Sequence, residues 1–561
     1  MNLLRTNNYL ITLLFFTIFI VILQQYCYNF FFADDYHLLR YVTDSQNTSS
    51  FKEQISLLFD LHNEHRIIFP RLFTLLIYKF FGYIDWKYYN LISLLYYLGI
   101  CCIFQSFFNK TKLSYYYFLP IPFLLFQPIA HENIYWTISI LQQVGNLFWA
   151  MLLFWLITNP SRTSFYWSIA VGIILTFTHG NGLFGLIIAG VVLFLMKRKK
   201  ELKIWSFFVV AIIGIYFFQY KNGQNSNLSE SLRHPDMLIR CLLTFWGSIA
   251  WQITNRYVIS NILAACLGLI IVCALLRYLG KYLLIKLFKS DQKTNDQNIF
   301  LLACFGYLFI TSILVGLSRG WIGISAGLDN RYAHNSLWAI SLLYLTILIN
   351  INKTHVKILS FSSLLLAIFI NLFSWYSASL KLKYQFDNQR AESFNYRNHQ
   401  FILKESPVFN HNISSTLAVS YQIGISKYTD TDLDVLKSLP NNQVNIVTDN
   451  EYRLRIIPTT TIVQDAHHPA TLQSYLIEAL NINYNPDTFL MLFTGKNNYL
   501  IPVEYTHSKK SELLLKAKYY GNGFYATFVT SNLPKGKYQY AIVQKNDKTY
   551  KITLLEQFLE I

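Results

Sequence analysis

The chain has 561 residues and a formal net charge of +17; 53% of its residues are hydrophobic, 17% are aromatic and only 14% are charged. Repeated apolar stretches of about membrane-spanning length predict a polytopic membrane protein. The positive charge lies in short loops between these stretches, where Lys and Arg set membrane orientation, so we expect no nucleic-acid partner.

The first apolar segment, residues 8 to 28, predicts a membrane helix. Arg5 is the one basic residue near it and no small-residue cleavage site follows, so we expect a retained helix and not a removed signal peptide. All seven cysteines lie in or next to apolar segments, and none follows Cys304. This excludes a disulfide framework in the C-terminal part, and no Cys/His spacing resembles a zinc site.

Two adjacent aspartates, Asp34 and Asp35, follow this first helix where the chain leaves the bilayer. A carboxylate pair at the membrane surface can act as a general base or hold a divalent cation beside a lipid-borne substrate. Acidic residues also often end a helix on the outer side, so simple polarity at a helix end is the alternative interpretation. Asp35 is one residue further from the helix, which favours it slightly over Asp34 as the base.

Hydropathy predicts about 11 transmembrane helices, with the N-terminus in the cytoplasm and the C-terminal region outside. Two more apolar segments, 67 to 83 and 237 to 254, are interpreted as helices on or dipping into the outer surface, because counting either as a span would expose basic loops such as 197 to 203 or 277 to 293. The predicted spans are 8 to 28, 88 to 108, 114 to 130, 137 to 157, 165 to 178, 183 to 196, 204 to 219, 258 to 276, 299 to 317, 334 to 350 and 356 to 376.

This orientation collects the unusual polar residues on the outer face, as an active site above a lipid substrate would need. Besides the aspartate pair, this face receives Glu132, and Arg319 and Arg331 border its last loop. The remaining candidates, which we expect to bind substrate, are Glu64, His65, Arg66, His131 and His179. Each has a plainer interpretation: residues 64 to 66 as the solvated start of an interfacial helix, and His179 as part of a tight turn before Gly180.

Together these features resemble the GT-C class of membrane glycosyltransferases. The resemblance covers residues 1 to about 376. It rests on the acidic pair in the first external loop, an interfacial helical stretch before the second span, an acid in the second external loop and a soluble region after the last span. Protein O-mannosyltransferases and the aminoarabinose transferases acting on lipid A belong to this class, which uses a polyprenyl-phosphate sugar as donor. The resemblance implies a GT-C-like catalytic domain in residues 1 to 376.

The resemblance also implies roles for individual residues. It places the catalytic base on Asp34 or Asp35, matches Glu132 to the second-loop acid, which is Asp in many members, and gives Arg319 and Arg331 the donor phosphate. An inverting transfer needs such a base for the acceptor hydroxyl and cations for the departing phosphate. The implied partners are the polyprenyl-phosphate sugar, an envelope glycan, lipid or protein as acceptor, and membrane lipids.

From about residue 377 the composition becomes more polar. We predict a mixed helical extracytoplasmic segment over 377 to 484, with helices at 430 to 439 and 470 to 480, and a small antiparallel β-domain over 485 to 561. This α+β region is expected to help bind the acceptor, to cover the site or to be purely structural. Strands are predicted at 488 to 493, 499 to 505, 513 to 520, 523 to 529, 538 to 544 and 550 to 555, with turns at 521 to 523, 534 to 536 and 545 to 547.

Two other classes of protein stay open. A lipid or sugar transporter or flippase would also be polytopic, and an O-antigen polymerase or ligase would carry paired arginines in a late external loop, as Arg319 and Arg331 are. Enrichment in Asn, Lys, Ile and Tyr is typical of an AT-rich bacterial genome. The expected location is therefore the bacterial inner (cytoplasmic) membrane.

Overall fold

The structure is a computed structural model that describes residues 2–220, 228–253, 257–288, 297–429, 432–437, 439, 443–448, 452–463, 470–480, 482–495, 497–547 and 549–561. The chain divides into two compact units. The helical unit comprises Met1–Gln25, Asp44–Leu76 and Asn90–Ser377, and the sheet unit comprises Tyr26–Thr43, Ile77–Tyr89 and Ala378–Ile561.

Helices dominate the first four hundred residues. In the first part of the chain they are α1 (Asn2–Leu23), α2 (Tyr36–Asn47), α3 (Phe51–Phe59), α4 (Ile68–Phe81), α5 (Trp86–Ser93), α6 (Leu95–Asn109), α7 (Pro120–Leu125), α8 (Glu132–Tyr135), α9 (Thr137–Ser139), α10 (Gly145–Ile157), α11 (Arg162–Thr176), α12 (Gly182–Leu195) and α13 (Lys199–Phe217). They continue as α14 (Leu228–Arg233), α15 (Pro235–Gly247), α16 (Tyr257–Leu275), α17 (Lys281–Phe288), α18 (Gln297–Arg319), α19 (Ala333–Asn350), α20 (Val356–His399), α21 (Pro407–Gln422) and α22 (Lys510–Lys516).

Within the described residues, seven helical stretches are long and apolar enough to cross a membrane. They coincide with seven of the predicted spans, and the stretch Thr137–Ile157 has the predicted bounds. These stretches are Asn8–Tyr26, Trp86–Asn109, Thr137–Ile157, Tyr257–Phe288, Gln297–Ile322, Asn330–Asn350 and Lys353–His399. The chain thus has the helices of a polytopic membrane protein, as its composition predicts.

The other four predicted spans take different forms. Residues 114 to 130 do not form one helix: two short 3₁₀ turns flank the six-residue helix α7. Pro120, Pro122 and Pro128 explain the break, since proline cannot donate the backbone hydrogen bond that continues a helix. The predicted spans at 165 to 178, 183 to 196 and 204 to 219 correspond to α11, α12 and α13, of which α12 is a shorter apolar helix.

Helices α4 and α15 occupy the two segments predicted to be interfacial, and neither is among the seven long apolar stretches of the described chain. Of the predicted basic loop 277 to 293, residues 289 to 293 lie outside the described part of the chain.

The sheet unit contains two sheets. The small hairpin of the helical unit supplies β1 (Leu61–His62) and β2 (His65–Arg66); the strands of the sheet unit are β3 (Val444–Thr448), β4 (Leu454–Val463), β5 (Ala470–Ala479), β6 (Thr488–Phe493), β7 (Asn498–Pro502), β8 (Glu504–His507), β9 (Tyr520–Val529), β10 (Lys537–Asn546) and β11 (Thr549–Glu560). One sheet has the order β3-β11-β10-β6-β7 and the other β4-β5-β9-β8. All neighbouring pairs are antiparallel except β3 and β11, which are parallel.

The five-stranded sheet is buried on both faces at strands β6 and β7, and the side-chain alternation of β6 shows how. Leu490 and Leu492 belong to a core shared with the four-stranded sheet, whereas Phe489 and Met491 pack with Phe394 of α20 and its neighbours. Successive strand residues point to opposite faces, so a strand buried on both faces has a continuous apolar run.

Three predictions in this region are wrong. Residues 470 to 480, predicted as helix, largely form β5, which pairs with β4 along its length and with β9 over residues 474 to 479. Residues 513 to 520, predicted as a strand, lie largely in α22 and the turn after it. The predicted turn at 521 to 523 lies inside β9, where Gly523 has a positive φ of 82° and a Cβ would lie 2.3 Å from the Ala479 carbonyl oxygen. Of the predicted helix 430 to 439, residues 430, 431 and 438 lie outside the described part of the chain.

Arg390 of α20 joins three carboxylates within the sheet unit. Its guanidinium lies 2.6 Å from Asp487, 3.0 Å from Asp432 and 3.4 Å from Asp387, and its side chain is 8% exposed. Lys545 also contacts Asp432, at 2.5 Å. Arg390 thus joins α20 to the 3₁₀ turn Asp432–Leu436 and to the residue before β6, and Lys545 joins β10 to the same turn.

Replacing Arg390 by alanine should destabilise the sheet unit by about 3 kcal/mol, the low end of the cost of breaking a buried ion pair, because it removes the shared cation from the buried Asp387 and from the partly exposed Asp432 and Asp487. Limited proteolysis against temperature measures this loss. The matched control is Arg455→Ala: Arg455 pairs with Glu478 at 3.2 Å, but its side chain is 72% exposed, so we expect a cost of at most about 1 kcal/mol. Equal sensitivity of the two variants would contradict a structural role for the Arg390 network.

Candidate functional site

A two-residue hairpin positions Glu64 and His65 in the helical unit. Strands β1 and β2 pair through His62 with His65, and Asn63 and Glu64 form the turn between them. Asn63 has a φ of 51°, a conformation that asparagine tolerates better than most residues. The Tyr220 hydroxyl donates to the Glu64 carbonyl oxygen at 2.8 Å, which holds the turn against the end of α13.

Arg66, predicted to bind substrate, holds this hairpin in place. It is 5% exposed, and its guanidinium donates to three backbone carbonyl oxygens. Its Nε donates to Tyr216 at 2.7 Å, and its two Nη atoms donate to Phe59 and Phe218. Because the fork of donors is used on the protein's own backbone, the observed role of Arg66 is to anchor the hairpin.

The His65 and His179 rings face each other with their centres 4.0 Å apart. Gly180 allows this approach, because a Cβ there would lie 2.7 Å from Nδ1 of His65. Burial lowers the pKa of His65 to about 4 despite the opposing effect of Glu64, and burial followed by the charge of His65 lowers the pKa of His179 well below its usual value. Both imidazoles are therefore neutral at pH 7 and can donate or accept hydrogen bonds without adding charge.

Glu64 links this histidine pair to Arg319. Its Oε1 lies 3.7 Å from Nη2 of Arg319 and 3.9 Å from Nε2 of His65. Its other oxygen, Oε2, is buried and has no hydrogen-bond partner among the residues that the structure describes. A buried carboxylate oxygen normally accepts a hydrogen bond, so this atom is suited to a donor from water or from a substrate hydroxyl.

Glu132 is bound to the segment that follows α18. Its N–H donates to Oδ1 of Asn330 at 3.0 Å, and its Oε2 accepts from the N–H of Arg331 at 3.2 Å. Asn330 in turn donates to the Ile129 carbonyl oxygen at 2.7 Å. This reciprocal pairing fixes the carboxylate beside the backbone of Arg331.

The Arg331 guanidinium pairs with Asp329 at 2.8 Å and lies 5.4 Å from the centre of the Trp136 ring. Burial and the neighbouring Asp329 carboxyl raise the pKa of Glu132 to about 7, and Arg331 offsets part of this rise. Glu132 is therefore divided between its protonated and ionised forms near neutral pH, as a general base or acid requires. Nδ1 of His131, the residue before Glu132, lies 3.5 Å from the Tyr135 hydroxyl oxygen.

Two residues that were not predicted as site residues support this arrangement. Asn133 donates to the Arg331 carbonyl oxygen at 2.9 Å, and Nδ1 of His334 lies 2.7 Å from the same oxygen. The two side chains are also 3.2 Å apart. Asn133 follows Glu132 directly and His334 lies three residues after Arg331, so their position beside the candidate residues was the one signal available.

The charges of Arg319 and Arg331 both act on His179, whose pKa each of them lowers. The helical unit therefore holds six of the predicted site residues in two contacting groups: Glu64, His65, His179 and Arg319 form one, and Glu132 and Arg331 form the other. We name them the polar cluster: Glu64, His65, Glu132, His179, Arg319 and Arg331. Asp329 lies beside Arg331 and Glu64 beside Arg319, so each arginine of the cluster has a carboxylate neighbour.

The aspartate pair belongs to the sheet unit. Asp35 is 1% exposed, and its Oδ2 accepts from the N–H of Phe32 at 3.2 Å across a 3₁₀ turn. Asp34 is partly exposed. The sequence favoured Asp35 as the base, but Asp34 is the more accessible carboxylate, since Asp35 supports the local turn.

Within the described ranges, no group of three or more His, Cys, Asp or Glu side chains is placed to hold a metal ion. The chain matches no known family model, no curated protein and no solved structure.

Replacing Gly180 by alanine should lower the thermal stability of the helical unit by about 1 to 3 kcal/mol, because the added Cβ overlaps the His65 ring and displaces it. Thermal unfolding of the purified protein measures the change. Gly214 is the matched control: it lies in α13 with no atom within 4 Å of an added Cβ, and alanine there should stabilise the helix by about 0.5 to 1 kcal/mol. A stable Gly180→Ala variant would contradict the close contact of His65 with residue 180.

Proposed function

We propose that this chain is a membrane glycosyltransferase that moves a sugar from a polyprenyl-phosphate donor to a cell-envelope acceptor. The observation that carries the proposal is the polar cluster of the helical unit, in which Arg331 contacts an acid with a pKa near 7 and Arg319 contacts the buried Glu64, within a unit that contains long apolar helices. A site of this chemistry suits a substrate with a lipid tail, an anionic phosphate and reacting hydroxyl groups.

The arginines supply the charge that a departing phosphate needs. When the acceptor oxygen attacks the anomeric carbon, a new carbon–oxygen bond forms and the bond from this carbon to the phosphate oxygen breaks. The polyprenyl phosphate leaves with the electron pair of that bond and an added negative charge. Arg319 and Arg331 would stabilise this charge, and guanidinium groups can bind phosphate through two parallel hydrogen bonds.

A carboxylate takes the proton that the acceptor hydroxyl loses. The resemblance to the GT-C class assigns this role to Asp34 or Asp35, and the accessibility of Asp34 favours it of the two. The pKa of Glu132 makes it the second candidate, and its contact with the Arg331 backbone would place it beside the donor phosphate. Attack opposite to the leaving phosphate inverts the anomeric configuration.

His65, His179 and Glu64 would bind sugar hydroxyls. Neutral imidazoles both donate and accept hydrogen bonds, and Oε2 of Glu64 accepts. The proposed membrane arrangement keeps about 11 spans, with the N-terminus in the cytoplasm and with the polar cluster and the C-terminal region on the outer side of the bacterial inner membrane. A divalent cation stays open as a cofactor.

The deciding experiment uses the purified protein in vesicles with a radiolabelled polyprenyl-phosphate sugar and an envelope extract. Transfer of label to lipid, polysaccharide or protein supports the proposal. Movement of labelled lipid across the vesicle without transfer supports a transporter or flippase. Comparing envelope glycans of cells with and without the protein then identifies the acceptor.

An O-antigen polymerase or ligase is the second candidate function, because Arg319 and Arg331 border one segment, Gly320 to Asn330, made of short 3₁₀ turns. Such an enzyme would transfer a glycan chain and not a single sugar. The same vesicles supplied with a lipid-linked oligosaccharide distinguish the two: transfer of intact oligosaccharide, with no use of the single-sugar donor, favours this candidate.

A further inference from the structure

Helix α22 of the sheet unit carries an unusual apolar surface. Leu514 is 83% exposed and Leu515 84%, and no other large hydrophobic side chain of the described residues is as exposed. No residue of the helix is buried. A helix of seven residues has little stability of its own in water, so packing of its leucines against a partner would be needed to stabilise it.

The ends of this helical segment are held together at the edge of a sheet. The N–H of Ser508 donates to the Tyr519 carbonyl oxygen at 2.9 Å, and the Ser508 hydroxyl donates to the Lys518 carbonyl oxygen. Strand β8, from which the segment leaves, is the last strand of the four-stranded sheet. Ala517, with a φ of 50°, ends the helix. Because hydrogen bonds close its base, the helical segment projects from the edge of the sheet with its leucines exposed.

Basic residues surround the leucines. Lys509, Lys510 and Lys516 are exposed and Lys518 is partly exposed, whereas Glu512 is the one acidic residue between 509 and 518. Leucines flanked by lysines are the chemistry of a helix that lies in the interface of a membrane with anionic lipids: apolar side chains enter the boundary of the acyl chains and ammonium groups pair with head groups.

We propose that α22 docks the sheet unit onto the surface of an anionic lipid bilayer, with Leu514 and Leu515 inserted below the head groups. The charge complementarity of the lysines selects a lipid surface over an uncharged apolar groove. The described part of the chain contains seven helical stretches long and apolar enough to cross a membrane, so a bilayer is expected wherever the protein resides. This docking is independent of the transferase reaction.

Spin labels on the full chain in nanodiscs test the docking directly. Cys102, Cys266 and Cys273, whose thiols are not buried, are first replaced by serine, and a label is attached in a Leu515→Cys variant. In discs containing anionic lipid, we expect this label to lie about 5 to 10 Å below the phosphates, accessible to oxygen and shielded from a water-soluble nickel chelate. The matched control is Leu480→Cys, at a 64% exposed leucine after β5, whose label should be accessible to nickel.

A second pair of measurements tests the role of charge. Replacing Lys509, Lys510 and Lys516 together by glutamine should raise nickel accessibility at position 515 several-fold, as should discs of neutral lipid alone. Nickel access at position 515 equal to that at Leu480 in anionic discs would overturn the proposal. So would shielding that appears only when two copies of the chain share a disc, because the leucines would then be covered by a second copy.

Discussion

Replacing Arg331 by alanine should weaken use of the polyprenyl-phosphate donor by about 2 to 5 kcal/mol if the pair of guanidinium and donor phosphate is desolvated, since this is the usual cost of removing one member of such a pair. Arg331 pairs with Asp329 at 2.8 Å and lies over Trp136, so its guanidinium is held in one orientation. The loss should be seen in the donor concentration at half-maximal rate. Arg331→Lys should recover only part of it, because an ammonium group keeps the charge and loses the bidentate geometry.

Two further arginines complete this experiment. Arg319→Ala should have a smaller effect on donor use, since Arg319 contacts Glu64 more loosely, at 3.7 Å. Arg240 of α15 is exposed and outside the polar cluster, so Arg240→Ala is the control and should leave donor use unchanged. Unchanged donor dependence in both the Arg319 and Arg331 variants would remove phosphate binding from this part of the chain.

The long apolar helices could be predicted from sequence because hydropathy over about 20 residues is a local property. The break in the helix at 114 to 130 could also have been predicted from local sequence, because this segment contains three prolines. Strand β5 could not be predicted in this way. Leu, Gln, Glu and Ala in 470 to 480 favour a helix, but pairing with β4 and β9 makes the segment a strand. Likewise residues 513 to 516 were predicted as part of a strand, although Leu and Lys are good helix formers.

The residue types of the candidate site could be predicted, but their partners could not. Glu132 meets Arg331 across about two hundred residues of sequence, and Arg319 meets Glu64 across an even longer interval. For Arg66, the sequence did not show which groups its side chain contacts. Its charge suggested a substrate contact, but in the fold its guanidinium donates hydrogen bonds to three backbone carbonyl oxygens. Burial, which sets the pKa of Glu132, is likewise a property of the folded chain.

Removing the catalytic base should cost about 100-fold to 10,000-fold in the rate of transfer. Because Asp35 is 1% exposed and accepts the Phe32 N–H, we expect Asp34→Asn to abolish transfer and leave donor binding intact. Asp35→Asn should also lower the rate, through loss of the local turn, and should lower thermal stability as well. Both variants keep the size of the side chain and remove its basic site.

The pH profile of transfer separates Asp34 from Glu132. A base acts when ionised, so with Glu132 as the base the rate should rise through its pKa of about 7 and Glu132→Gln should abolish transfer. With Asp34 as the base, Glu132→Gln should have a milder effect on the rate of transfer.

The same variant has an effect on stability that depends on pH. The folded-state pKa of Glu132 is raised above its unfolded value, so its ionisation lowers the stability of the protein as pH rises through about 7. Relative to the unmodified protein, Glu132→Gln should therefore raise thermal stability more at pH 8 than at pH 5. Near-normal transfer by the Asp34, Asp35 and Glu132 variants together would show that the base-assisted mechanism is wrong.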